Sequence, residues 1–334
     1  MRAFPAFAIL LLAFAGVAAA QGSPAGAARA AEEKDKYLLA NEHVQLWLTG
    51  KAPVLRVLPG NATDANASGA FTYTFQQVVE YRDLDANGAP SPNEIVASLP
   101  LDAPQGWKAN VTNASAASSI NMTLTSDVRL AVADVPNVPV SLPADRSATV
   151  SLLFTLRGAD QDVALGALNA TVQATSATVG FAVEKWPFVD AANDRLALTT
   201  LATGSVKSAN FTGLQRAVVS SPDGRALGAL AWTLTAQGKT SAGASLPVPV
   251  KTDVAPVTDP TGTATGTSRL AFTFDAPALA SVKHDSTVGL FPVEVAMPSS
   301  ASVGAESLKP SPSVGLVGAV GIAAVAALAL RRRD

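Results

Sequence analysis

The sequence predicts an all-β fold of the β-sandwich class, built as one large sandwich or as two smaller ones. Apolar and polar residues alternate along many short segments from Tyr37 onward, and Gly, Pro and Asp turns separate these segments. No amphipathic helix of convincing length occurs between residues 36 and 298. Period-two alternation buries one face of a strand and exposes the other. Many short strands joined by such turns are typical of sandwiches.

The alternation is clearest in two early segments. Val44, Leu46 and Leu48 alternate with polar or larger residues, and a second run extends from Phe71 to Tyr81. Similar segments occupy residues 120–124, 149–156, 171–183, 195–201 and 269–274. A period of two over five or more residues indicates strands with one buried face.

Turn chemistry predicts one hairpin and one interruption. Ser221-Pro222-Asp223-Gly224 separates two apolar runs, 216–219 and 227–234, which is a strong hairpin signal. The proline-rich piece 246–256 cannot form a central strand, because proline lacks the N–H that a ladder requires. A domain break near residues 158–166 is a further expectation.

Composition excludes several classes of function. The 334 residues include no cysteine, carry a net charge of −2 and are only 15% charged. Thiol catalysis, thiolate metal sites and disulfides are therefore ruled out. Nucleic-acid binding needs clustered Lys and Arg, and no such cluster precedes the C-terminus.

The N-terminus has the features of an export signal. Arg2 precedes an apolar run from Phe4 to Ala19, and small residues close the segment at Ala18-Ala19-Ala20. This order describes a secretory signal peptide over residues 1–20. Residues 21–35 are small, polar and alanine-rich, and we predict a disordered lead-in there, followed by an ectodomain over residues 36–298.

The C-terminus has the features of a membrane anchor. A Pro/Ser linker (299–313) precedes residues 314–330, which contain no charged side chain, and Arg331, Arg332 and Arg333 follow. At about 1.5 Å per residue a helix over 314–330 spans roughly 25 Å, within the range of transmembrane helices. The arginines place the 331–334 tail in the cytoplasm. We therefore expect a single-pass cell-surface protein with its ectodomain outside.

This tail resembles the tripartite sorting tails of prokaryotic surface proteins, including archaeal proteins handled by archaeosortases. The resemblance rests on Lys309-Pro310-Ser311-Pro312-Ser313, the apolar helix and the terminal arginines, and it covers residues 309–334. The Pro-Gly-Phe signature of the best-known archaeal class is absent. The resemblance implies enzymatic removal of the tail, and retention of the tail as a single span is the alternative.

The predicted ectodomain is rich in N-glycosylation sequons. Asn-x-Ser/Thr occurs at Asn61, Asn66, Asn110, Asn113, Asn121, Asn169 and Asn210. Given the frequencies of Asn, Ser and Thr in the chain, chance gives roughly two such motifs. The excess predicts a glycoprotein, although Asn, Ser and Thr also co-occur because all three favour turns and strand edges.

One segment matches a calcium-binding loop. Residues 83–94, Asp-Leu-Asp-Ala-Asn-Gly-Ala-Pro-Ser-Pro-Asn-Glu, place oxygen ligands at the spacing that a twelve-residue Ca²⁺ loop uses. The predicted ligands are the side chains of Asp83, Asp85, Asn87 and Glu94 and the carbonyl of Ala89. The alternative interpretation is a long Asn-Gly hairpin turn with solvated acids.

The function that these features favour is structural or adhesive, with a membrane and other surface proteins or glycans as partners. No Gly-x-Ser-x-Gly, His-Glu-x-x-His or Ser-x-x-Lys motif occurs, so we do not expect an enzyme. Trp186, Phe188 and Asp190 suggest a carbohydrate- or ligand-binding platform as an alternative, or a plug at one end of the sandwich. A second alternative is an extracellular hydrolase that uses paired carboxylates.

Overall fold

Strands form the regular structure throughout the described part of the chain, as the alternation predicts. The computed structural model describes residues 27–62, 70–102, 106–114, 116–131, 144–165, 168–211, 214–221, 224–240, 243–275, 279–290 and 295–296, which fall in one compact unit. No helix occurs in these ranges. The all-β class is therefore confirmed.

The strands are numbered in chain order. The first eleven are β1 (Arg29–Glu33), β2 (Lys36–Ala40), β3 (Val44–Thr49), β4 (Val54–Pro59), β5 (Phe71–Tyr81), β6 (Ile95–Pro100), β7 (Lys108–Thr112), β8 (Ala117–Asp127), β9 (Arg129–Leu130), β10 (Ser147–Arg157) and β11 (Gln161–Leu165). The others are β12 (Leu168–Val172), β13 (Ser176–Glu184), β14 (Arg195–Thr203), β15 (Ser205–Phe211), β16 (Leu214–Ser220), β17 (Ala226–Thr233), β18 (Thr235–Thr240), β19 (Ser245–Thr258), β20 (Ala264–Phe274), β21 (Leu279–Leu290) and β22 (Val295–Ala296).

Nineteen of these strands form one nearly closed, barrel-like sheet, and β11, β12 and β22 form a small separate sheet. One half of the large sheet runs β1-β2-β3-β4-β5-β14-β20-β19. The other half runs β7-β8-β10-β13-β21, with β18 and β17 on the far side of β21. Strand β19 belongs to both halves, so a single sheet folds over its own core.

The proline-rich strand β19 makes this continuity possible. Its first part pairs with β18 and its second part, from Val250, pairs with β20. Each part therefore has one ladder partner among the described residues, which leaves its prolines free of the donor requirement on the other side. The segment predicted not to be a central strand is a strand, but it is not central along either part.

Aromatic pairs join the two halves across the core. Phe75 of β5 meets Phe154 of β10 edge-on, with ring centroids 5.8 Å apart. Phe181 of β13 stacks on Phe274 of β20 at 5.9 Å. All four rings are nearly or fully buried. Such pairs add specific geometry to the area that each ring removes from water.

The free edges of the two halves meet at one asparagine. Asn113, just after β7, accepts a hydrogen bond from the Ala30 N–H and donates one to the Ala30 carbonyl, at 3.2 and 3.3 Å. Its amide thus substitutes for a strand residue beside β1. The buried hydroxyl of Ser118 donates to the same amide oxygen. We call this contact the seam.

Several boundaries differ from the prediction. Strand β1 lies within the lead-in predicted to be disordered, because it pairs with β2 in register from Arg29↔Ala40 to Glu33↔Lys36. The described part of the segment 158–166, where a domain break was expected, runs into β11 of the β11–β12 hairpin. The predicted hairpin at residues 221–224 is present as β16–β17, with Gly224 at φ 85°.

The predicted signal peptide (1–20), the Pro/Ser linker from residue 299, the helix over 314–330 and the 331–334 tail lie outside the described residues. Within the ranges that are described, no helical segment has the length and apolarity needed to span a membrane.

Candidate functional site

The predicted calcium loop connects β5 to β6 and is closed at its neck. The Arg82 N–H donates to the Glu94 carbonyl at 3.0 Å, and the Glu94 N–H donates to the Ser91 carbonyl at 2.9 Å. Ala86 and Gly88 have φ values of 58° and 77°. This left-handed region suits glycine and allows the chain to turn back at the Asn-Gly step. We call residues 83–94 the acidic loop.

The loop brings its three acids together. Single carboxylate oxygens of Asp83, Asp85 and Glu94 lie within 4.8 Å of one another, the spacing at which one cation could contact all three. Asp85 is exposed, and Glu94 is almost fully buried. The Asn87 side chain donates to Asp85 at 2.6 Å, and its oxygen accepts the Ala89 N–H at 2.6 Å.

Glu94 organises the backbone of the loop. Its Oε1 accepts the N–H groups of Leu84 at 2.8 Å and Asp85 at 3.3 Å, and its Oε2 accepts that of Ser91 at 3.0 Å. Asp83 similarly accepts the Gly88 N–H at 3.2 Å. Charge-assisted bonds of this kind hold a loop in one conformation whether or not a cation is present.

Two basic side chains, Arg195 and Lys251, lie beside the acidic loop. Arg195 donates to Asp83 at 2.5 Å and pairs with Asp275 at 3.1 Å. Lys251 also pairs with Asp275, at 3.2 Å, and its side chain passes over Gly88. A Ca²⁺ ion in the loop would therefore share or replace the contact that Arg195 makes with Asp83.

The second predicted site lies in the connection between β13 and β14, residues 185–194. Trp186 is buried and donates its Nε1–H to Glu80 at 2.9 Å, so its ring presents no exposed stacking face in this structure. Phe188 is half-buried and packs on the main core. Asp190 forms an ion pair with Arg82 at 2.5 Å. A hydrogen bond from Asn193, with Arg82 adding to it, lowers the pKa of Asp190. Burial of the tryptophan is what the plug interpretation requires.

Sequence reasoning missed the carboxyl groups beneath this connection. Glu80 and Asp194 are both fully buried. Arg82 donates to Asp194 at 2.8 Å. A signal was available, because Glu80 lies two residues after Val78 of the core and so occupies an inward position on β5.

The sequons with described side chains all present exposed asparagines, at Asn61, Asn110, Asn113, Asn121 and Asn169. Asn110 and Asn121 lie directly opposite each other on β7 and β8. Asn66 lies outside the described residues, and Asn210 lies on β15, which pairs with β16.

Comparison with known proteins adds no family. No protein-family model matches the chain, and no curated protein matches it.

Proposed function

We propose that this chain is an exported, N-glycosylated cell-surface protein with a structural or adhesive role. In this proposal residues 36–298, together with β1, form a sandwich-like ectodomain, and residues 314–330 hold it in the membrane. The carrying observation is that every sequon asparagine with a described side chain is exposed. A glycan needs that exposure, and all five described sequon asparagines have it.

The strands that carry sequons also support this proposal. Asn110 lies on β7 and Asn210 on β15, and each of these strands has one ladder partner among the described residues. An unpaired strand edge invites pairing with another chain. The edge of β7 already meets β1 at the seam, so this argument applies to β15, where a glycan on Asn210 would cover the edge and keep neighbouring molecules apart on a crowded surface.

The test is the intact mass of protein purified from the cells that naturally produce it. We expect a mass above that of the mature chain, lowered stepwise by Asn→Gln changes at occupied sequons. Chemical deglycosylation should return the mass to that of the chain. An unmodified mass in the native host would refute the glycan part of the proposal.

Topology is tested separately. Protease added to intact cells should remove epitopes before residue 314 and spare a tag placed after Arg333. A protected ectodomain would contradict the surface location. Release of the ectodomain without added protease would instead indicate that the tail is processed.

A second proposal is that the acidic loop binds one Ca²⁺ through Asp83, Asp85, Asn87 and Glu94 and the carbonyl of Ala89. The convergence of three carboxylates supports it. Binding to the folded state alone would raise stability by about 1.4 kcal/mol at tenfold saturation. The melting temperature should then rise with millimolar calcium and fall with chelator, and Asp83→Ala should abolish the difference.

Substitution of Arg195 provides a second test of calcium binding by the acidic loop. If calcium competes with Arg195 for Asp83, Arg195→Gln should increase calcium affinity while lowering stability in chelator. If the loop is an ordinary polar turn, Arg195→Gln should lower the melting temperature equally in calcium and in chelator. Identical melting of the unmodified protein in both conditions would refute the metal site.

A further inference from the structure

Two carboxyl groups meet beneath the connection formed by residues 185–194. Glu80 on β5 and Asp194 immediately before β14 are each 0% exposed, and their side chains are within hydrogen-bonding reach. Burial of two carboxylates side by side is costly, because both negative charges lose water and repel each other.

The hydrogen bonds around the pair leave one buried carboxylate oxygen without a donor among the described residues. Glu80 accepts the backbone N–H groups of Val189 at 2.7 Å and Asp190 at 3.2 Å, together with the indole N–H of Trp186. Asp194 Oδ1 accepts from Arg82, whereas the buried Oδ2 has no hydrogen-bond partner among the described residues. A protonated carboxyl on Glu80 would supply the missing donor.

The charged side chains around Glu80 and Asp194 do not make a shared proton unnecessary. Arg82, the residue after β5, pairs with Asp190 of the connection and with Asp194. Strand β6, beside Glu80, carries no ionisable side chain, and Arg195 of β14 pairs with carboxylates outside the cluster. A proton on Glu80 would leave the carboxyl groups of Glu80, Asp190 and Asp194 with two negative charges beside the one positive charge of Arg82.

We propose that Glu80 and Asp194 hold one proton between them, and that this proton locks the 185–194 connection onto β5. The proposal is independent of glycosylation and of calcium. Burial, reinforced by Asp194, raises the pKa of Glu80 from 4.5 to about 7. A folded-state pKa above the unfolded one adds stability that is fully present below pH 4.5 and is lost as the pH rises through about 7. The connection should therefore loosen near neutral pH.

A direct readout is the titration of the Glu80 carboxyl carbon by NMR in the full chain in detergent micelles. We expect a midpoint near 7, whereas a midpoint near 4.5 would overturn the proposal. Exchange of the Val189 and Asp190 amides, corrected for the intrinsic pH effect, should accelerate across the same range. Unchanged protection would refute the lock.

Two variants test whether Asp194 is the residue that shares the proton with Glu80. Asp194→Asn places an N–H donor where Oδ2 lies, so Glu80 can ionise with a partner and the pH dependence should flatten. Through Glu80, the folding equilibrium constant of the unmodified protein should fall about 70-fold between pH 5 and 8, and it should fall less in the variant, where burial alone still raises the pKa of Glu80. Asp190→Asn, which removes a charge beside the same arginine, should keep most of the dependence. His284 contributes an opposite trend to every protein compared, so it cancels. Equal slopes in the unmodified protein and Asp194→Asn would refute the shared proton.

Discussion

Glu94 offers a test of what holds the acidic loop in shape. Its carboxylate is 1% exposed and accepts three backbone N–H groups. In Glu94→Gln the amide oxygen can keep the bonds from Leu84 and Asp85. The new NH₂ group would then face the Ser91 N–H, donor against donor. One charge-assisted bond is lost, and the partly buried N–H of Ser91 is left without an acceptor.

The size of the effect follows from these contacts. Hydrogen bonds to charged groups contribute about 1.5–3 kcal/mol, and an unsatisfied buried donor costs about 1–3 kcal/mol. Because the remaining bonds persist, we expect Glu94→Gln to lower the free energy of unfolding by about 2–3 kcal/mol. For a domain of this size that corresponds to a melting temperature lower by about 5 °C.

The assay is thermal and urea unfolding in chelator, so that calcium plays no part. Asp85→Asn is the matched control, because Asp85 is exposed and its substitution should change stability by less than about 0.5 kcal/mol. Amide exchange at Ser91 should accelerate in Glu94→Gln alone. If Glu94→Gln has the same melting temperature as the unmodified protein, the carboxylate does not organise the loop and this reasoning fails.

Three further predictions address the large sheet and its buried histidine, His284. Asn113→Ala should lower stability by about 1 kcal/mol and speed exchange of the Ala30 amide, because the seam loses both hydrogen bonds; unchanged exchange would contradict the seam. A Cβ at Gly228 would lie 2.2 Å from a Phe71 ring carbon, so Gly228→Ala should cost about 3 kcal/mol or more in urea unfolding; unchanged stability would mean that this approach is looser. Burial lowers the pKa of His284 below 6.5, so the stability that its neutral ring contributes is present above that pH and lost as the pH falls. His284→Gln should remove this loss between pH 7.5 and 5.5, and an unaltered pH profile would contradict it.

Local patterns in the sequence predicted the strands well where the pattern itself carries the cause. Strand β3 buries Val44, Leu46 and Leu48 in strict alternation, because side chains on a strand point to opposite faces in turn. The β16–β17 hairpin formed where Gly224 supplies the left-handed turn residue. The residues of the acidic loop were likewise chosen from spacing, and the structure brings three of their carboxylates together.

Only the tertiary structure decided what depends on distant partners. Strand β1 was missed because its sequence is small and polar, and its pairing comes from β2 and the seam. Arg195 reaches Asp83 across 112 residues, and Arg82 reaches Asp194 across the same separation. The register Leu196↔Glu80 between β5 and β14 brings Glu80 near Asp194. Composition and periodicity, being local, determined the class of fold, the sequons and the acidic spacing. Strand register between segments far apart in the chain decides which charged side chains meet. It also decides which buried carboxylate oxygen is left without a hydrogen-bond donor among the described residues.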